Sequence, residues 1–142
     1  MAVMQISVLL GNVPGTLSRL TNILDKDDIT AKALLAASAA ESSTVRMVVN
    51  DPQRAAAILE SFGFNYEISP VLAAEVPLHP GGMNAILNPL AKAEVNVLYL
   101  YTTINRIGRE TIVILGVDNI EAAREILRQN WIHLIEDEIY AL

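Results

Sequence analysis

Apolar positions along this chain recur at two spacings, and each spacing predicts a type of element. "VMQISVLL" (3–10) is a short, mostly apolar run that reads as a strand. Leu17, Leu20 and Leu24 then recur at helical spacing, which predicts a helix from Pro14 to about Asp25. A strand is expected near 29–38, and "STVRMVV" (43–49), rich in β-branched residues, predicts another. "NDP" (50–52) starts a second helix: Asn50 or Asp51 caps it, Pro52 suits its first turn, and Gly63 ends it. Ala55, Ile58, Leu59 and Phe62 form the apolar face of that helix, and "FNYEIS" (64–69) follows as a strand.

The same order then begins again. "VLAAEVPL" (71–78) reads as a strand, 80–92 as a helix, and "VNVLYLYTTI" (95–104) and "ETIVILGV" (110–117) as strands. A helix capped by Asp118 is expected over about 119–130, with "WIHLIEDEIY" (131–140) as the last strand. Laid against itself, "NVPGTLSRLTNIL" (12–24) matches "LHPGGMNAILNPL" (78–90), 66 residues later. "VNDPQRAAAIL" (49–59) matches "VDNIEAAREIL" (117–127), 68 residues later. The chain therefore reads as a tandem duplication, with units at 1–70 and 71–142. Each unit has the order β-α-β-β-α-β, which predicts an α+β fold: a ferredoxin-like antiparallel sheet with helices on one face. "TAKALLAASAAE" (30–41) has the composition of a helix, yet its counterpart "NVLYLYTTI" is β-rich, so the repeat assigns it to a strand.

Composition adds a constraint. Apolar residues make up 52% of the 142, high for a small chain. In a ferredoxin-like unit helices cover one sheet face, yet "TIVIL" and "VRMVV" are apolar on both. Val97, Tyr99 and Tyr101 would share one face of their strand, and Leu98 and Leu100 the other. The helix-free face must therefore be covered by the sister unit or by a second chain, and a homodimer is the simplest expectation. The absence of cysteine removes disulfides and thiolate chemistry, and a reducing cytoplasm is the expected compartment. Ten basic residues against sixteen acidic ones give a net charge of −6 without a basic cluster, which argues against nucleic acid as a partner. The start "MAVMQISVLLG" has neither a basic n-region nor enough apolar length for a signal peptide or membrane span.

Catalytic patterns are sparse, and the chain reads as a non-enzyme without a cofactor or metal. His79 and His133 lie far apart in sequence, and "EDE" (136–138) reads as a solvated cluster on the last strand. The remaining candidates are the two Pro-Gly loops. A helix start offers unpaired N–H groups and partial positive charge, which suit a carboxylate or phosphate. In the first loop Gly15, Thr16 and Leu17 would offer N–H groups, while Asn12 either meets a ligand or caps the helix.

The pattern N-x-P-G-x-L between strand and helix, followed by a small "x-[IV]-N" strand start, resembles the ACT domain. That family consists of ferredoxin-like regulatory modules that bind amino acids. "GNVPGTL" carries the resemblance in the first unit, and "VPLHPGGM" with "EVNVLYLY" carries it in the second, so it covers essentially the whole chain. It implies an amino-acid effector held between two such domains, by the strand-helix loop of one and the second-strand start of the other. Position by position, this assigns Asn12, Val13, Pro14, Gly15, Thr16, Leu17 and Asn96 to one site, with Tyr99 as a wall or a core aromatic. The second, degraded site would hold Leu78, His79, Pro80, Gly81, Gly82, Met83 and Thr30. The family's usual glycine before the second strand is replaced by Asp28 and Glu94, and a left-handed turn suits Glu less well than Asp. The alternative is a ligand-free dimerisation or interaction module acting on a partner enzyme. An acylphosphatase-like enzyme would need an arginine in the first loop, where Gly11, Val13 and Thr16 stand instead.

Overall fold

The computed structural model describes residues 2–104 and 111–142. Position 110, where one predicted strand begins, lies outside the described residues. The first half runs β1 (Val3–Gly11), α1 (Thr16–Asp25), β2 (Ala31–Ala39), β3 (Ser42–Val49), α2 (Pro52–Ser61) and into β4 (Asn65–Val76). The second continues with α3 (Gly82–Lys92), β5 (Val97–Thr102), β6 (Thr111–Val117), α4 (Ile120–Gln129) and β7 (Leu134–Ile135), then a 3-10 turn, Asp137–Ala141. None of the described helices is long and apolar enough to cross a membrane.

The two strands expected on either side of position 70 are one. β4 runs unbroken through Pro70, which faces Met4 of β1. Its first part pairs with β1 (Asn65↔Leu9 to Val71↔Val3), and its last part pairs with β6 (Leu72↔Leu115 to Val76↔Thr111). β7 continues the β1 edge through Ala73↔Ile135 and Ala74↔Leu134. The strand order β2-β3-β1-β4-β6-β5 is thus two ferredoxin-like sheets sharing one long strand.

Each half has its own helix-side core, and the two cores match position by position. Leu20, Leu24, Ile29, Ala55 and Leu59 in the first correspond to Ile86, Leu90, Val95, Ala123 and Leu127 in the second, all buried. Full burial of one such aliphatic side chain stabilises by about 1.5–3 kcal/mol. The third core lies between the halves. Val3, Ala33 and Val48 pack with Val71, Tyr101, Ile112, Ile114 and Ile139, so the helix-free face of the second half covers one end of that of the first. Part of the burial demanded by the apolar composition is thus met within one chain. The continuous sheet curls until its outer strands meet, with Ala33 bridging Thr103 and the Ile104 N–H donating to the Lys32 carbonyl at 2.8 Å.

The Ala-rich segment is a strand, as the repeat predicted. Its small side chains suit this seam: Ala33 and Leu35 share the cluster that holds Tyr99 and Tyr101. Four local expectations are corrected. Gly15 and Gly81 adopt left-handed φ angles of 89° and 87° as N-caps, so α1 starts at Thr16, with Pro14 in the turn before it. Asn119, not Asp118, caps α4 by accepting from the Ala122 N–H at 3.1 Å, because Asp118 is engaged at the start of β5. A β-bulge between Val97 and Tyr99 turns Val97 to the helix side and the two tyrosines to the seam; Leu98 and Leu100 are exposed. The final strand is two residues long, since Ile139 and Tyr140 turn inward and the Tyr140 hydroxyl accepts from the Met4 N–H at 2.9 Å. "EDE" therefore lies where the chain enters the 3-10 turn, and the Glu136 N–H donates to a Glu138 carboxylate oxygen at 2.8 Å.

Candidate functional site

The first Pro-Gly loop is held by its asparagine. The Asn12 side-chain amide donates to the Ala40 carbonyl at 2.9 Å, its backbone N–H donates to Glu41, and Ser38 Oγ lies 3.4 Å from Asn12 Oδ1. Asn12 thus anchors the loop on the β2–β3 turn and does not cap α1, whose start has no side-chain cap. Thr16 Oγ1 lies 2.9 Å from the Gly11 carbonyl and 3.1 Å from that of Val13, tightening the turn from inside. Val13, Pro14, Gly15 and Leu17 are exposed around it.

The second loop repeats the backbone with different chemistry. Leu78 is 67% exposed where Asn12 stands in the first, so no amide ties this loop down. His79 Nδ1 lies 2.9 Å from the carbonyl of its neighbour Pro80. Gly82 is buried so close to the Pro77 carbonyl that a Cβ would collide with it, and Met83 packs against the second helix-side core.

The two strand starts also repeat. Asp28 and Glu94 both take left-handed φ angles, 59° and 58°, at the positions where the sequence departs from the usual glycine. After them, the Thr30 N–H donates to Asn50 Oδ1 at 2.9 Å, and the Asn96 N–H donates to Asp118 Oδ1 at 3.0 Å. The Asn50 and Asp118 N–H groups return the bond to the Thr30 and Asn96 carbonyls, both at 3.1 Å. Among the described residues no hydrogen bond joins Asn12 to Asn96, or Leu78 to Thr30; Asn12, Thr30 and Asn96 are each tied within their own half.

Tyr99 lies in the seam, where its hydroxyl accepts from Gln5 Nε2 at 2.8 Å. The Tyr101 hydroxyl donates to Gln5 Oε1 at 2.6 Å, and the Arg46 guanidinium stacks on the Tyr99 ring, 4.2 Å from its centroid. Burial, with the neighbouring Tyr99, pushes the Tyr101 phenol well above the usual tyrosine range, and nearby Arg46 opposes this. Gln5 is fully buried, and sequence reasoning missed this network. Its one signal was a polar residue inside "VMQISVLL".

Cavities among the described residues lie elsewhere. One of about 680 Å³ sits between α3 and α4, beside Asn84, Asn88, Lys92 and Asn130, and touches the predicted loops only at Gly81. Another of about 350 Å³ opens on the helix-free face of the first half. No group of three or more His, Cys, Asp or Glu at metal-binding geometry occurs among the described residues.

Comparison with known proteins places this geometry. The family model described as an ACT domain pair matches residues 1–141. The chain is similar in structure to protein BT0572 from Bacteroides thetaiotaomicron, with 28% identity, a TM-score of 0.91, and 100% of this chain and 98% of that one covered. It also shares the fold of the regulatory subunit of aspartate kinase from Thermus thermophilus, solved in a ligand-free form: 16% identity, TM-score 0.63, 89% and 91% covered. The corresponding subunit from Thermus flavus gives 15% identity, TM-score 0.60, and 92% and 94% covered. No curated protein matches the chain. The two left-handed glycine loops, the duplicated strand starts and the match over residues 1–141 agree: the chain belongs to the ACT domain pair family.

Proposed function

We propose that this ACT domain pair is a non-catalytic regulatory module that binds a free amino acid, with Asn12 and its loop on one side of the effector and Asn96 on the other. The observation that carries this reading is the closing edge of the sheet. β2 and β5 meet antiparallel at Ala33 and Thr103, so the Ala40 end of β2 and the Asn96 end of β5 lie on the same side of that bridge. Asn12 is bonded to Ala40, which sets it at that end. Ala36 to Ala40 and Asn96, Leu98 and Leu100 are exposed there, leaving both strands accessible to a small molecule. The first-turn N–H groups of α1 suit the effector's carboxylate, and the two asparagine amides suit its ammonium and carboxylate. The second loop, with Leu78 for Asn12, is the degraded counterpart.

Structural likeness to aspartate kinase regulatory subunits supports a role in regulating a partner enzyme, and assembly as a homodimer belongs to the same proposal. A ligand-free interaction module is the competing reading, and one observation favours it: Trp131 is 93% exposed, an aromatic anchor of the kind enriched at interfaces.

A thermal-shift screen against the standard amino acids separates the two. Native-state binding stabilises by about 2.7 kcal/mol at a hundredfold excess over the dissociation constant. One amino acid should raise the melting temperature, and Asn12→Ala and Asn96→Ala should each reduce that shift. A flat response across the panel would leave the interaction reading standing.

A further inference from the structure

The seam between the halves covers only one end of the first half's helix-free face. Along β1, Val3 and Gln5 are buried under the second half, Ser7 is half-buried, and Leu9 is 47% exposed. The uncovered end is the cavity of about 350 Å³. Two cross-strand rows line it. Arg46 and Glu67 are both in register with Ser7, on opposite sides of it; Thr44 and Asn65 are likewise in register with Leu9. Directly opposed residues in antiparallel strands point to the same face, so all six line one surface.

Arg46 and Glu67 are two strand spacings apart, about 10 Å between Cα atoms, with only the small Ser7 between them. Neither makes an ion pair among the described residues. The half-buried guanidinium of Arg46 is held in place by stacking on Tyr99. The cavity therefore carries one fixed cation, one carboxylate, a hydroxyl between them, and a neutral row made by Leu9, Thr44 and Asn65.

The internal repeat shows that the fold does not require this polarity. The positions in the second half matching Ser7, Arg46, Glu67 and Thr44 are Ala73, Ile114, Ile135 and Ile112, all buried in the seam. The scaffold accepts an apolar set here; the first half carries opposite charges around a void.

We infer that this cavity is a second ligand site, distinct from the Asn12 loop, for a small α-amino acid with an uncharged side chain. Arg46 takes the carboxylate, Glu67 takes the ammonium, and the side chain lies on the Leu9 row. Charge-assisted bonds at both ends of a zwitterion discriminate against molecules that carry only one of the charges.

Backbone amide NMR titration of the intact chain with L-alanine, L-threonine and L-valine tests this, with propionate and ethylamine as single-charge controls. At least one of the three amino acids should give saturable shifts at the Ser7, Thr44 and Asn65 amides, at concentrations well below those the controls need. Arg46→Gln and Glu67→Gln should each raise half-saturation by about tenfold or more. Arg46→Lys, which keeps the charge but not the fork, should fall between them and the wild type. Asn12→Ala should leave these shifts unchanged. No saturable shift at these amides, or shifts that survive both charge-removing variants, would overturn the inference. Shifts confined to residues 12–17 and the Asn96 region would overturn it while upholding the proposed effector site; shifts in the cleft alone would uphold it, and the Asn12 site then stands or falls on the full amino-acid screen.

Discussion

Thr30 and Asn96 are bonded to Asn50 and Asp118 in the same way, yet the loops leading to them have diverged from Asn12 to Leu78. Positions that build each half keep their chemistry: left-handed loop glycines, buried leucines on the helices, and a side-chain oxygen capping the second helix of each unit. Positions that face outward or into the seam differ. Ala33 is paired with Val48 in the first half, whereas Tyr99 is paired with Gly116 in the second, so large and small residues have changed places. At the turn after the fourth helix, Trp131 takes a φ of 63° where the first half has Gly63 at 75°. Duplication fixes the scaffold and leaves seam, loops and turns to specialise.

If the halves are equivalent in scaffold, equivalent core truncations should have equivalent costs. Leu59→Ala and Leu127→Ala should each destabilise by about 2–5 kcal/mol, in a single urea transition, because β4 belongs to both halves. Two separate transitions would break the comparison. A smaller effect is expected from the seam. A Cβ at Gly116 would collide with the Tyr99 ring, 2.1 Å from its Cζ, so Gly116→Val, which installs the first half's residue, should cost about 1–3 kcal/mol. Adding Tyr99→Ala, which copies Ala33, should restore part of that loss; strict additivity in a double-mutant cycle would contradict the exchange of sizes. The smallest effect should have the opposite sign. Trp131 gains little from packing at 93% exposure, and a bulky residue with positive φ is strained, so Trp131→Gly should stabilise by about 1 kcal/mol in thermal unfolding.

Much of this was legible in the sequence because the chain carries two readings of one pattern. The repeat assigned 30–41 to a strand against its own propensity. The family resemblance marked Asp28 and Glu94 as replacing a glycine, a turn that suits Glu less well, yet both take left-handed φ angles. The union of two predicted strands into β4 was hidden by Pro70, which normally interrupts pairing. The end of the chain was misread because Ile139 and Tyr140 serve the core between the halves, a contact with no local signature. Asn12 offered two local roles, and the structure gives it a third, because its partner Ala40 lies on a hairpin remote in sequence. The Arg46–Glu67 cleft was invisible for a related reason: only the register of β3, β1 and β4 brings those residues to one surface.

The central claim is that the first half's loop binds an amino acid and the second half's loop does not. Calorimetric titration of the amino acid selected by the thermal-shift screen tests it most directly, using the wild type, Asn12→Ala and Leu78→Ala. Affinity should fall by about tenfold or more in Asn12→Ala and stay unchanged in Leu78→Ala. Equal losses in both variants, or full affinity in Asn12→Ala, would contradict it.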